Sequence, residues 1–361
     1  MGSHGVASAR LRADKTNQHA RESAITHFRN QRALTLRDWP VSWRLIAVIV
    51  LALIMGLVFG GLRIGSAADS AAQFGRVSQL ANLGEQVTVL TQDLQNERDK
   101  TLGVIAGGNL SALQPLYSAT GAEAATVQAL AAGVDGSFPA NIQASVAAVL
   151  SQISAKGVST LRETAQGQGS DVLGVIADYA TPISEMITLN DEIAQGTSDS
   201  ILANDVRTLN SLSLAKDTAG QQRALLYNAF TQQFFGDGVV QALTAVQSEE
   251  FADEAAFEAT ATPAQRSAFA STVNGPGVNK AEVIEDFFFL DGGDQQPLNT
   301  ANINPASIGF TLAQAPAVWY QAMSQKLDEM QAVEQQIAGN IVARAQSLQR
   351  ARSSPRWSPP S

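Results

Sequence analysis

Residues 77–105 read Val77-Ser78-Gln79-Leu80-Ala81-Asn82-Leu83-Gly84-Glu85-Gln86-Val87-Thr88-Val89-Leu90-Thr91-Gln92-Asp93-Leu94-Gln95-Asn96-Glu97-Arg98-Asp99-Lys100-Thr101-Leu102-Gly103-Val104-Ile105. Val77, Leu80, Leu83, Val87, Leu90, Leu94, Leu102 and Ile105 recur in steps of three and four with one break, the stripe of an amphipathic helix close to a heptad. Gly107-Gly108 predicts where the helix stops, because glycine takes the left-handed conformation past a helix end at little cost. The break in the stripe is Arg98, four residues after Leu94 and four before Leu102, which places a guanidinium on the buried face. Leaving such a charge unpaired in a core costs several kcal/mol. Something anionic has to meet it.

Beyond this stretch, helices are predicted near 110–133, 138–155 and 171–195, then from about Ser200 to Phe235, and near 238–258 and 263–272. Gly133–Pro139, Gly167–Gly169, Gly236-Asp237-Gly238 and Asn274-Gly275-Pro276-Gly277 separate them as turns, and Asp291 to Pro305 reads as the longest loop. Phe287-Phe288-Phe289 reads as core filling near the end of a further helix. A last long helix is expected from Pro316 to Leu348, with Met323, Leu327, Met330, Val333 and Ile337 at helical spacing. No alternating strand pattern appears, and aromatic residues make up only 6% of the chain. The expected class is all-α, built as helix bundles.

The 361 residues include no cysteine, which excludes disulfides, thiol catalysis and iron–sulfur clusters. His4, His19 and His27 are the three histidines, so the chain beyond residue 30 has no imidazole base and no usual transition-metal ligand set. No phosphate-cradling glycine loop occurs. Accordingly no catalytic residue, cofactor or metal is expected, and an enzyme ranks last among the readings.

Charge is segregated. Residues 1–63 carry nine basic and three acidic side chains, whereas 64–348 carry twelve basic and thirty acidic. A basic arm beside an acidic body is compatible with nucleic-acid binding, but Leu45 to Leu62 is an uncharged apolar run bracketed by Arg44 and Arg63. A run of that length approaches the ~20 residues that cross a bilayer as a helix, and Trp43 stands where an interfacial aromatic belongs. Residues 1–43 are therefore expected as a disordered cytoplasmic arm and 44–63 as a transmembrane helix. Residues 64–348 are expected as an extracytoplasmic helical body and 349–361 as a disordered tail. A cleaved signal peptide ending near Ser66-Ala67-Ala68 is the competing reading, but more than forty residues precede its apolar run. No nucleic-acid partner is expected.

Arg223 repeats the pattern of Arg98. Leu212, Lys216, Ala219, Arg223, Leu226, Tyr227 and Phe230 step along one helix face, and again a cation interrupts apolar side chains. Either a carboxylate such as Glu97 or Asp99 pairs with each arginine, or both arginines serve one small anion between packed helices. A planar oxyanion suits the parallel donors of a guanidinium. The other arginines of the body are Arg76, Arg162, Arg207, Arg266 and Arg344.

Leu94-Gln95-Asn96-Glu97-Arg98, within Leu90 to Thr101, resembles the first-helix signature of the nitrate- and nitrite-sensing domain. Lys216 to Tyr227, with Gln221-Gln222-Arg223-Ala224-Leu225-Leu226, resembles its second arginine-bearing helix, and Asp99 stands where the family usually has glycine. The similarity covers about residues 37–348, and the arm, span and helix order look like the front half of actinobacterial sensor histidine kinases. The resemblance implies up-and-down bundles sharing long helices, a homodimer, and nitrate or nitrite held by Arg98 and Arg223, with Arg207 a weaker third. It also implies a second span, a linker and a kinase after the last helix; the Pro-Ser-Arg tail reads as a truncated or frame-shifted end. The alternatives are a helical receptor for another small anion and a ligand-free domain that dimerises through its helices.

Overall fold

The computed structural model describes residues 73, 75–167, 171–195, 199–289 and 309–353. The expected arm, transmembrane run, Asp291–Pro305 loop and residues 354–361 lie outside these. Every long element among the described residues is an α-helix. Helix α1 covers residues 75–105, followed by a 3-10 turn at Leu110–Leu113 and α2 at Gln114–Ala131. Next come α3 (Ala140–Gln152), α4 (Ala155–Ala165) and α5 (Val172–Gln195). Helix α6 (Ser200–Gln232) leads to α7 (Val239–Thr260), α8 (Pro263–Thr272), α9 (Pro276–Phe289) and α10 (Ala315–Ser353).

The end of α1 is set by its glycines. Gly107 has φ +103°, its N–H donates to the Val104 carbonyl, and the Gly108 N–H reaches back to the Gly103 carbonyl. Those two bonds are the Schellman closure that satisfies the last carbonyls of a helix. Helix α6 starts on the Asp199 side chain, which accepts from the Leu202 N–H, and ends with Gln233 in the left-handed region.

The register follows from side-chain bonds. Thr88 meets Asn190 and Glu97 meets Tyr179, so α5 runs antiparallel to α1. Arg98 meets Asp217 and Leu102 meets Asn228, so α6 runs parallel to α1. Lys216 meets Glu334 and Asp199 meets Arg344, so α10 runs back along α6. Helix α7 runs antiparallel to α6, with Gln222 on Glu250 and Asn204 on the Thr260 carbonyl. Helix α1 is thus shared: α2, α4 and α5 lie on one side of it, α6 and α10 on the other.

The leucine stripe of α1 is core, with Leu83, Val87, Leu90, Leu94 and Leu102 buried. Phe287 and Phe288 fill the interior as expected, Phe288 stacking edge-on against Phe230 and Phe235. Three expectations need correction. Helix α4 stands where no helix was expected after residue 155, α9 begins inside the anticipated turn at Pro276, and α10 continues through residues 349–353, taken as tail. Val172–Ile193 of α5 is long and apolar enough to cross a membrane, but Val175, Tyr179, Ile183, Met186 and Leu189 are buried against the protein.

Candidate anion site

Helix periodicity delivers Arg98 and Arg223 to one place. Arg98 is fully buried and Arg223 is 2% exposed, each on the apolar face of its helix. The parallel packing of α1 on α6 brings both against Asp99, which is itself fully buried. Arg98 Nε donates to Asp99 Oδ1 at 2.8 Å. Arg223 donates to Asp99 Oδ2 from Nη2 at 2.7 Å and from Nε at 3.1 Å. One carboxylate therefore takes a guanidinium on each oxygen.

The remaining guanidinium nitrogens are also engaged. Arg98 Nη1 donates to Asp217 Oδ1 at 2.7 Å, and Nη2 to the Asp217 carbonyl at 3.4 Å. Asp217 is steadied by the side-chain amides of Gln95 and Gln221. Arg223 Nη2 also donates to Asn96 Oδ1 at 3.1 Å, and Nη1 to Ser324 Oγ of α10 at 3.0 Å. The Trp319 indole holds the Arg223 carbonyl at 2.9 Å, and the Tyr320 ring lies 5.1 Å from the guanidinium. Burial opposes the charge on Arg98, but Asp217 and Asp99 more than offset it and raise its pKa above the ordinary arginine range. Burial raises Tyr320, against the opposing pull of Arg223.

Close approach at this point depends on Gly220. A β-carbon there would lie 2.9 Å from Arg98 Nη2 and 3.2 Å from Asp99 Oδ2. A residue with one would force the Arg98 guanidinium to shift.

Glu97 faces the other way. Its Oε1 accepts from Arg162 Nε at 2.9 Å and the Tyr179 hydroxyl at 2.8 Å, and its Oε2 from Arg162 Nη2 at 2.7 Å and Thr120 at 2.9 Å. The Arg162 guanidinium lies over the Tyr117 ring at 3.9 Å. A cleft of about 790 Å3 opens beside Arg162, lined by Gly121, Gln128, Ile153, Val158 and Gln166 among others. Neither Arg98 nor Arg223 lines it.

Of the three arginines named from sequence, Arg98 and Arg223 meet through Asp99. Arg207 does not join them: it is exposed on α6, sixteen residues before Arg223, or about 24 Å of helix. Lys216 shares the apolar face of Arg223 but binds Glu334 and Gln331 of α10. Asp217, Asn96, Ser324 and Gly220 were not anticipated. Asp217 and Gly220 lie inside the arginine-bearing segment Lys216–Tyr227, but periodicity alone does not say which of Lys216 and Asp217 turns toward α1.

Long packed helices enclosing two arginines and the carboxylates that pair with them define an all-helical domain with a buried ionic centre. The family described as nitrate and nitrite sensing matches residues 89–342, and the chain belongs to that family. The fold is similar to a solved structure titled "Structure of the NasR transcription antiterminator", with a TM-score of 0.65 at 19% identity, over 81% of this chain and 75% of that one. Likeness at that identity is likeness of fold. No curated protein matches the chain.

Proposed function

We propose that this chain is the membrane-anchored, extracytoplasmic input domain of a two-component sensor histidine kinase, binding nitrate or nitrite at Arg98 and Arg223. One observation carries the reading: two buried guanidinia from different helices converge on a single planar oxyanion. Nitrate and nitrite present oxygens in the same plane and at a similar bite, and charge-assisted bonds of this kind contribute roughly 1.5–3 kcal/mol each. The apolar run at Leu45–Leu62 supplies the anchor, with the basic arm on the cytoplasmic side. A homodimer is part of the proposal.

Signal transfer is supported by the register. The start of α1 lies beside the end of α10, where a β-carbon on Gly75 would come within 4.0 Å of Gln349 Nε2. Helix α1 and α10 also meet at the site, through Arg223, which bonds Asn96 and Asp99 on one and Ser324 on the other. An anion that repositions Arg223 biases the two helices against each other, a displacement of about 1–2 Å being typical of helix-shift switches.

A second reading has one observation in its favour: the anion that the arginines hold is a carboxylate. The ligand would then be a small organic acid. Thermal melting of the full-length chain against nitrate, nitrite, acetate and chloride separates the two. Ligand at about 100 times its dissociation constant adds about 2.7 kcal/mol. A saturable rise with nitrate or nitrite supports the first reading, a rise with acetate alone supports the second, and no response to any of them overturns both. A reporter fused after residue 110 tests topology, and activity in the cytoplasm would overturn the orientation.

A further inference from the structure

The geometry points to Asp99 as a resident occupant of the anion site, which nitrate or nitrite has to displace in order to bind. The inference rests on the reading of Arg98 and Arg223 as the anion-binding pair and deepens it: affinity, and the difference between empty and liganded states, are set by a side chain of the protein itself.

All six guanidinium nitrogens of Arg98 and Arg223 already have an acceptor. The two guanidinia carry ten N–H groups, more than the bonds they make, but the Nε of each is committed to Asp99, so a planar anion can bridge both Nε groups only where Asp99 leaves. The acceptors are not equally free to go. Asp217 is held by two amides besides Arg98, while Asn96 and Ser324 are neutral and each serves Arg223 alone. Asp99 bridges the two arginines with one oxygen on each, which is the contact that a bidentate oxyanion would make.

Charge leads to the same residue. The two arginines are balanced by Asp99 and Asp217, both within 2.8 Å of a guanidinium nitrogen. Adding a monovalent anion without removing a carboxylate would leave excess negative charge in a dry interior, which is strongly disfavoured. Exchange of one planar anion for another keeps the balance, with the displaced Asp99 carboxylate turning out of the site to water. Asp99 competes as a tethered ligand at high effective concentration, so it lowers the apparent affinity for any free anion. Its release frees Arg223, the residue that joins α1 to α10, to move with the incoming ligand.

The test measures nitrate and nitrite binding by calorimetry on the full-length chain in mild detergent, for wild type, Asp99→Asn and Asp99→Gly, with chloride as control. Displacement predicts at least tenfold tighter nitrate or nitrite binding in both variants. It also predicts that formate, a free carboxylate, stabilises Asp99→Gly but not wild type. Nitrate binding equal to or weaker than wild type in both variants would overturn the displacement and leave the nitrate reading standing. Absence of nitrate and nitrite binding in all three proteins would overturn both. Should the variants fail to fold alone, displacement requires that nitrate or formate restore their helix content by circular dichroism. Failure of both anions to do so would equally overturn it.

Discussion

Glu97 and Asp99 stand two residues apart on α1 and close two separate ion-pair networks, one toward α2, α4 and α5 and the other toward α6 and α10. A helix turns about 100° per residue, so side chains two apart point to nearly opposite sides. Arg98 between them belongs to the Asp99 side. This single turn of helix is therefore where both halves of the domain take hold of α1, and the substitutions below separate their contributions.

Arg162→Ala tests the Glu97 side. Its removal leaves a fully buried carboxylate with only the Thr120 and Tyr179 hydroxyls. Breaking a buried pair from one side typically costs about 3–5 kcal/mol, and the lower end is expected because the Arg162 side chain is 20% exposed. Chemical denaturation measures the loss. Arg162 does not touch the arginine pair, so the folded variant should keep its response to nitrate.

Gly220→Ala tests the close approach of α6. In an exposed helix the change would stabilise by roughly 1 kcal/mol through helix propensity. Here the added methyl meets Arg98 and Asp99, and overpacking of that kind costs about 1–3 kcal/mol. A lower denaturation midpoint is the expected outcome; a higher one would show that the network yields without strain.

Much of this arrangement was legible in the chain. The stripe from Val77 to Leu102 gave α1, and a cation on that stripe gave Arg98 as a buried group needing an anion. Arg223 followed by the same argument, and Asp99 was among the carboxylates weighed as partners. What periodicity could not supply was convergence: that one carboxylate serves both arginines depends on the rotation of α6 against α1, which no single helix encodes. Helix α4 escaped because its apolar positions are few, Val158, Leu161 and Ala165, with Gly157 in its first turn. Arg162 was lost with it. Arg207, the weaker third, stands apart because it lies on an exposed face of α6, away from the apolar stripe that carries Arg223.

Arg98→Ala tests the pair itself. Asp99 and Asp217 both lose a guanidinium, so the variant is expected to be less stable by about 3–5 kcal/mol rather than relieved of a buried charge. The double variant Arg98→Ala/Asp217→Ala removes the carboxylate left without a guanidinium, while Asp99 keeps Arg223, and should recover part of that loss, a coupling visible in a double-mutant cycle. Neither protein should gain stability from nitrate. A nitrate response retained by Arg98→Ala would move the binding site elsewhere.

A last prediction concerns pH and a second buried cluster. Lys326 of α10 pairs with Glu250 of α7 at 2.7 Å and lies 3.7 Å from Glu285 of α9, whose Oε1 is buried without a hydrogen bond. Burial, reinforced by Glu250, Glu254 and Glu282 against the opposing pull of Lys326, pushes the Glu285 carboxyl up to about 7. Asp253 is pushed up to about 6 by burial and by Glu249. A carboxyl raised in the folded state binds its proton more tightly there than in the unfolded chain. Its contribution to stability is therefore complete below the ordinary carboxylate range and is lost as pH rises through the folded value. Stability should fall between about pH 4.5 and 7, by on the order of 3 kcal/mol from Glu285. Glu285→Gln keeps the shape and removes the titration. It should melt higher than wild type at pH 8 and no higher at pH 4, with a flatter profile between. If the two proteins show parallel pH profiles by calorimetry, Glu285 is not the titrating group.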